Sequence, residues 1–376
     1  MTDAGGSNYY RGRASIPSGN EGARVATGRS APPPRGGKGK GVSRRGFGLS
    51  LAGLIGSIAA LGAGTATWVF AKDINEGMNR MFDMEDVPDR PDKVVDGAIN
   101  VLVLGTDARD DDEDGRSDSS MLMHVDADGQ NAYVISIPRD LYVHIPHNEN
   151  ADYSDVMAKF NSAYAWGGAP LAIQTTEAYT GVHVDHIVEI NFPGLVQVVD
   201  ALGGIDMHID KTITSIHSPN RTFEEGWNNL DGEEALDYVR QRYQFADGDY
   251  TRMRNQQKLI MAIMDKAASA GVLTNQRTVT DFVESISGAL TVDTGFNAVG
   301  MGLAFMHLRS DDMVFMTSPN SGTGYEGGES VIYSDDELAE DLFSSVRDDN
   351  VDEWVAENPD ALNDPSDEDD GGEDEE

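Results

Sequence analysis

Two carboxylates, each with an arginine beside it, are the residue types that could hold a divalent cation against phosphate oxygens. Asp107 follows an apolar run directly, in Gly105-Thr106-Asp107-Ala108-Arg109, and Asp118 opens the next run, in Arg116-Ser117-Asp118. Mg2+ takes hard oxygen ligands, commonly one or two carboxylates completed by phosphate oxygens and water. Arg109 and Arg116 flank the pair, and a guanidinium fork matches phosphate oxygens two at a time. The intervening residues 110–114 are all acidic, so a solvated acidic turn is the simpler account of this stretch taken alone. The glycine and terminal glutamate of an EF-hand loop are missing.

More cations gather at other element ends. Arg139 sits in Ile137-Pro138-Arg139-Asp140, and Lys159 precedes Phe160-Asn161-Ser162-Ala163-Tyr164. Arg240 and Arg242 close a predicted helix; if the chain straightens there, i and i+2 side chains share a side. Arg252 and Gln256 are spaced i, i+4 on one helical face. Asp249, shortly before Arg252, is a candidate base for a hydroxyl proton and equally a helix N-cap. For any single arginine, an ion pair with one of the chain's 65 acids is the simpler account. Convergence of these groups is not something a sequence can display.

The elements that must position them alternate in type. Short β-rich runs occupy 100–105, 121–125, 132–138, 184–192 and 205–209, with 313–317 as the last strand. Helical periodicity marks 194–202, 252–269, 278–290 and 297–308. Asp231 with Glu234 reads as a capping box that opens a helix through Val239. The expected class is therefore α/β, a mixed central β-sheet flanked by helices on both faces.

The chain has 376 residues, with 28 Lys+Arg against 65 Asp+Glu, a formal net charge of −37. So acidic a surface argues against general affinity for nucleic acid, whose phosphates demand cations. The absence of cysteine excludes disulfides, thiol catalysis and zinc–thiolate sites. Residues 1–45 nevertheless carry about +7 and are rich in Gly, Pro and Ser, as in a disordered basic arm. Residues 46–71 contain no charge and are long enough to cross a hydrocarbon core of about 30 Å. A single uncleaved transmembrane helix is the favoured reading, and a cleaved export signal around Ser43-Arg44-Arg45-Gly46-Phe47 is the competitor. The positive-inside rule then places the arm in the cytoplasm and the remainder outside the cell membrane. The expected organisation continues with an extracellular linker at 72–96, a catalytic domain at 97–345 and an acidic disordered tail at 346–376.

Taken in order, NVLVLGTDAR, RSDSSML, ISIPRDLYV, KFNSAYAWGG, VDALGGI, LDGEEALDYVRQR and DYTRMRNQQ resemble the LytR–CpsA–Psr family of envelope enzymes. That resemblance implies a membrane-anchored phosphotransferase. It would move a glycopolymer (teichoic acid, capsule or arabinogalactan) from a polyprenyl-pyrophosphate carrier to the C6 hydroxyl of a peptidoglycan sugar, releasing polyprenyl phosphate. It implies Asp107 and Asp118 as ligands of Mg2+, with Mn2+ as the alternative ion. Arg139, Arg240, Arg242, Arg252 and Gln256 would clamp the pyrophosphate, surrounded by Lys159, Arg109 and Arg116. Asn255 stands where the family often has arginine, so one anion contact is lost or supplied by Arg254. Phe160, Phe192, Leu195, Val199, Leu236 and Ile263 are candidates for an apolar groove around the lipid, or ordinary core. The partners implied are the lipid-linked glycopolymer and peptidoglycan. A polyprenyl-pyrophosphate hydrolase and a non-catalytic wall-polymer scaffold are the alternatives.

With the arm's +7 set aside, the rest of the chain carries about −44 and repels itself. Its melting temperature should rise as NaCl is increased from ~10 to ~200 mM, over which screening shortens to about 8–10 Å. A Tm insensitive to salt would contradict this.

Overall fold

Seven strands form one sheet, and their order places the chemistry-bearing strand ends along a common edge. In spatial order they are β1 (Asn79–Arg80), β12 (Leu290–Val292), β7 (His186–Asn191), β2 (Ile99–Thr106), β3 (Ser117–Val125), β4 (Ala132–Ser136) and β13 (Met313–Thr317). The β1–β12, β7–β2 and β4–β13 pairs are parallel and the others antiparallel, so the sheet is mixed. The structure is a computed structural model whose described residues run from 77 to 362, excepting 107–116, 152, 246–247, 268, 270–275, 299, 302–307 and 309. The basic arm, the apolar run 46–71 and most of the helix expected at 297–308 lie outside those residues.

Strand alternation sorts the side chains between two faces. On one face Leu102, Leu104, Leu122, Ile135, Ile187 and Met316 join a core closed by helices α1 (Phe160–Thr180), α6 (Asp336–Arg347) and α7 (Val351–Glu357). On the other face lie α2 (Phe192–Ala201), α3 (Gly232–Val239), α4 (Asp249–Ala267) and α5 (Gln276–Ala289). Helices thus cover both faces, as expected. The expected capping box is present: Asp231 Oδ1 accepts the Glu234 amide at 2.9 Å, and Glu234 Oε2 accepts the Asp231 amide at 3.1 Å. At the start of α2 the Asn191 side chain accepts the Gly194 amide at 2.8 Å, so β7 passes into α2 without a loop.

Several expected boundaries are corrected. Residues 77–96 are not a free linker. Met84 and Val87 are buried in the first core, and Arg90 Nη2 meets Glu177 Oε1 at 2.7 Å. Helix α1 interrupts its own periodicity at Gly168 (φ 63°, ψ −157°) and contains Pro170, which hid it from pattern reading. Strand 313–317 is not the last, because the hairpin β14 (Asn320–Glu326) and β15 (Glu329–Ser334) follows. The tail does not begin at 346: Val346, Val351 and Trp354 are buried, and Leu362 bridges Met316. Only residues 363–376 of that segment lie outside the described part.

Phe160 is also corrected. It is 1 % exposed and belongs to the core on the α1 face, not to a lipid-accessible surface. Phe160→Ala should cost about 3–5 kcal/mol in chemical denaturation. A loss below ~1 kcal/mol would show that the residue is not core.

Candidate active site

The sheet edge where β2, β4, β7 and β13 end and β3 begins carries the candidate groups. Thr106 at the end of β2 is registered with Ser117 at the start of β3, after an irregularity at Gly105. Asp107, Arg109 and Arg116 lie outside the described residues. For Asp118 and Asp249 the backbone is placed, in β3 and as the first residue of α4, but not the side chain. Thr106 and Ser117, the sequence neighbours of the two candidate metal ligands, thus face each other across β2 and β3. Two carboxylates are hard oxygen donors of the kind Mg2+ takes.

Arg139 lies just past β4. Its carbonyl accepts the Asn161 amide at 3.0 Å, and the Leu141 carbonyl accepts the Phe160 amide at 2.8 Å, fixing this segment to the start of α1. The Asp140 carboxylate stands 3.6 Å from Arg139 Nε and 3.4 Å from Lys159 Nζ. Lys159, expected at the pyrophosphate, also reaches Glu329 Oε2 at 3.1 Å. It therefore ties the segment past β4 to the β14–β15 hairpin as well as adding charge.

Arg240 and Arg242 owe their direction to the residue between them. Helix α3 ends at Val239 and the chain turns rather than straightens: Arg240 keeps helical dihedral angles (φ −91°, ψ −10°), and the Gln241 amide donates to the Tyr238 carbonyl at 3.0 Å. Gln241 is fully buried. Its Nε2 donates to Asp237 Oδ1 at 2.7 Å and to Ser215 Oγ at 2.9 Å, while its Oε1 accepts from Gln244 at 2.5 Å and from the Ile216 amide at 3.3 Å. Gln241 is anchored inward, while Arg240 and Arg242 on either side of it both keep part of their surface exposed. The Arg240 guanidinium stands 4.5 Å over the Phe192 ring at the β7–α2 junction, and Arg242 stands 4.9 Å over Tyr243. Pattern reading missed Gln241; a neutral polar residue between two arginines was the available signal.

Helix α4 is clamped to the same edge. Gln257 Nε2 donates to Ser136 Oγ at 2.9 Å, and the Tyr250 hydroxyl donates to Asn320 Oδ1 at 2.6 Å. Arg252 and Gln256 therefore ride on the part of α4 beside the ends of β4 and β13. Asn255 is buried, so this departure from the family pattern points into the protein, next to the Tyr238 hydroxyl. Arg254 bonds Thr251 Oγ1 at 3.1 Å.

A second group escaped sequence reasoning. Glu189 Oε1 on β7 accepts from the Tyr164 hydroxyl at 2.6 Å and from Thr106 Oγ1 at 3.1 Å. Burial, reinforced by the Glu189 hydrogen bond, pushes the Tyr164 hydroxyl far above the ordinary tyrosine range, so it stays a donor. The triad fixes the residue from which the 107–116 segment departs.

The apolar candidates divide. Val199 is fully buried between α2 and its neighbours and, like Phe160, is core. Leu195 and Ile263 pack on that core while partly exposed, and Leu236 and Phe192 are partly exposed as well. In the central strands Val188 and Val103 also keep exposed surface on this face, Val103 packing, as do Ile260 and Met261 of α4, on the Met121–Val134–Phe315 cluster. Middle strands of a sheet covered on both faces are ordinarily shut off from solvent. Here an apolar strip remains open beside the cationic edge.

The chain belongs to the LytR_cpsA_psr family, whose model matches residues 71–345. Among curated relatives it is 33 % identical over 235 residues to the polyisoprenyl-teichoic acid–peptidoglycan teichoic acid transferase TagU of Enterococcus faecalis, covering 61 % of this chain and 74 % of that one. It is 26 % identical over 322 residues to the cell wall biosynthesis protein LcpA of Corynebacterium glutamicum, covering 75 % of this chain and 60 % of that one. Among solved structures, TagT bound to LI-WTA aligns with a TM-score of 0.55 at 25 % identity, covering 72 % of this chain and 99 % of that one.

Removing the Gln241 anchor leaves Ser215 and Asp237 short of a partner. Gln241→Leu should lower stability by about 1–3 kcal/mol and weaken pyrophosphate binding at least ~10-fold by releasing both arginines. A folded variant with unchanged pyrophosphate affinity in calorimetric titration would refute the positioning role.

Proposed function

We propose that this protein is a wall-glycopolymer transferase that hands a polymer from a polyprenyl-diphosphate carrier to the C6 hydroxyl of a peptidoglycan sugar. The observation that carries the proposal is the placement of Arg139, Arg240 and the start of α4 on one sheet edge, next to an apolar strip on the central strands. A diphosphate with a long hydrocarbon tail needs both features side by side. The names of TagU and LcpA, and the LI-WTA bound to TagT, support the same reading.

Phosphoryl transfer demands positioning and neutralisation of charge more than covalent help. The arginines would hold the phosphate oxygens and stabilise the charge left on the departing polyprenyl phosphate. The sugar O6 forms a bond to the polymer-bearing phosphorus as the bond to the carrier's bridging oxygen breaks. The hydroxyl proton passes to a carboxylate, for which Asp249 at the head of α4 is the candidate. Asp107 and Asp118 would hold Mg2+, which when bound supplies further neutralisation of the diphosphate.

Residues 46–71 would form one transmembrane helix with the N-terminus cytoplasmic and the catalytic domain extracellular, which puts the site beside the lipid carrier's own membrane. Among the described residues no helix is long and apolar enough to cross a membrane.

Full-length protein in detergent, supplied with a polyprenyl-diphosphate saccharide, Mg2+ and peptidoglycan, should form the covalent conjugate. Arg139→Ala and Arg240→Ala should each lower kcat/KM by about 10^2–10^3-fold, the usual loss on deleting one preorganised donor. Release of free polymer phosphate without conjugate would overturn transfer in favour of hydrolysis. Wild-type rates in both variants would overturn the site.

A further inference from the structure

Beyond the edge that carries Arg139, the β14–β15 hairpin meets a second small two-stranded sheet through a single bridge. Strand β5 (Tyr142–Ile145) pairs with β6 (Val156–Lys159), and Leu141 bridges Ile332 in parallel, with the Ile332 amide donating to the Asp140 carbonyl at 2.8 Å. Leu141 and Ile332 point into the core. Their successors Tyr142 and Tyr333 therefore point the opposite way. Both are partly exposed, and their rings meet edge to face, 6.3 Å apart at 89°.

This corner is preset. A Cβ on Gly324 would lie 2.3 Å from Cε2 of Tyr333, so the ring sits directly against glycine backbone that no other residue would leave free. The Tyr333 hydroxyl donates to Glu326 Oε1 at 2.8 Å, fixing the ring's far end. An aromatic side chain so constrained on a surface needs little further ordering to bind a partner.

We propose that the Tyr142–Tyr333 corner binds a pyranose unit of the acceptor glycan strand, bringing its hydroxyl to the phosphate edge. This rests on the transferase reading above and adds the place where the acceptor lies. Two perpendicular rings offer a floor and a wall to the C–H face of an uncharged sugar, as aromatic groups do for flat apolar surfaces in general. Glu326 and Glu329 border the corner and can accept sugar hydroxyls. Those same carboxylates disfavour a phosphate-bearing donor, which selects the neutral acceptor as occupant. Continuity with the phosphate edge runs through Lys159, whose Nζ reaches both Glu329 and the Asp140 carboxylate beside Arg139. Tyr325, 78 % exposed at the hairpin tip, could lengthen the platform by one sugar.

The test uses full-length protein in a detergent without sugar groups. The acceptor probe is chitotetraose, the β-1,4 tetramer of N-acetylglucosamine, and the donor-side probe is geranyl diphosphate with Mg2+. Tyr333→Ala and Tyr142→Ala should each weaken chitotetraose binding about tenfold or more, while Tyr333→Phe, which keeps the ring, should stay within about threefold of wild type. Geranyl diphosphate affinity should be unchanged in all three variants, which also reports on folding, and both probes should bind together. Absence of chitotetraose binding by the wild type, wild-type affinity in the two alanine variants, or competition between the probes would overturn the proposal. The chitotetraose titration run without geranyl diphosphate does not depend on the donor site, so failure of the transferase reading would show instead as missing diphosphate binding with the sugar corner intact.

Discussion

Like charges held side by side set the terms for this fold. Two cations about 4 Å apart repel by about 4 kcal/mol at an effective dielectric constant near 20, so arginines do not gather without restraint. Several of those seen here have a specific brace. Arg240 lies over the Phe192 ring, Arg139 shares the Asp140 carboxylate with Lys159, and buried Gln241 anchors the backbone between Arg240 and Arg242. The braces come from a strand–helix junction, a loop past β4 and a buried amide network. On the proposed function these braced cations would receive a polyanion, whose binding would raise the stability of the folded protein.

The two faces of the sheet divide the remaining work. The α1, α6 and α7 side is a closed core that extends into the N-terminal segment through Met84 and Val87 and into the C-terminal helices through Trp354. The α2, α4 and α5 side is less complete, with Val103 and Val188 partly uncovered between its apolar clusters. Rigidity on one side permits openness on the other. The Tyr164–Glu189–Thr106 contacts stitch the closed side to the β2 end from which the acidic segment leaves.

Much of this was legible in the residues. The short β-rich runs and the Asp231–Glu234 capping box encode local geometry, and they fold as their pattern implies. Helix α1 was illegible because Gly168 and Pro170 break its period, and β14–β15 because a glycine-rich stretch resembles a loop until Tyr333 is seen resting on Gly324. Phe160 and Val199 were misassigned for a different reason. A large apolar side chain near a polar motif looks the same in sequence whether it faces a groove or the core. Lys159 illustrates a third limit, since its charge suits phosphate but its position gives it Asp140 and Glu329 as partners. Ion-pair partners far apart in sequence cannot be read from spacing.

The central claim is that one diphosphate bridges carboxylates and arginines drawn from separate elements. A crystal structure of the protein soaked with geranylgeranyl diphosphate and Mn2+, with anomalous diffraction locating the metal, tests it most directly. The account predicts an anomalous peak at about 2.0–2.3 Å from carboxylate oxygens of Asp107 and Asp118, phosphates against Arg139 and Arg240, and the prenyl chain along Val103 and Val188. A metal or diphosphate bound away from that edge, with those guanidinium groups still turned to their internal partners, would contradict it.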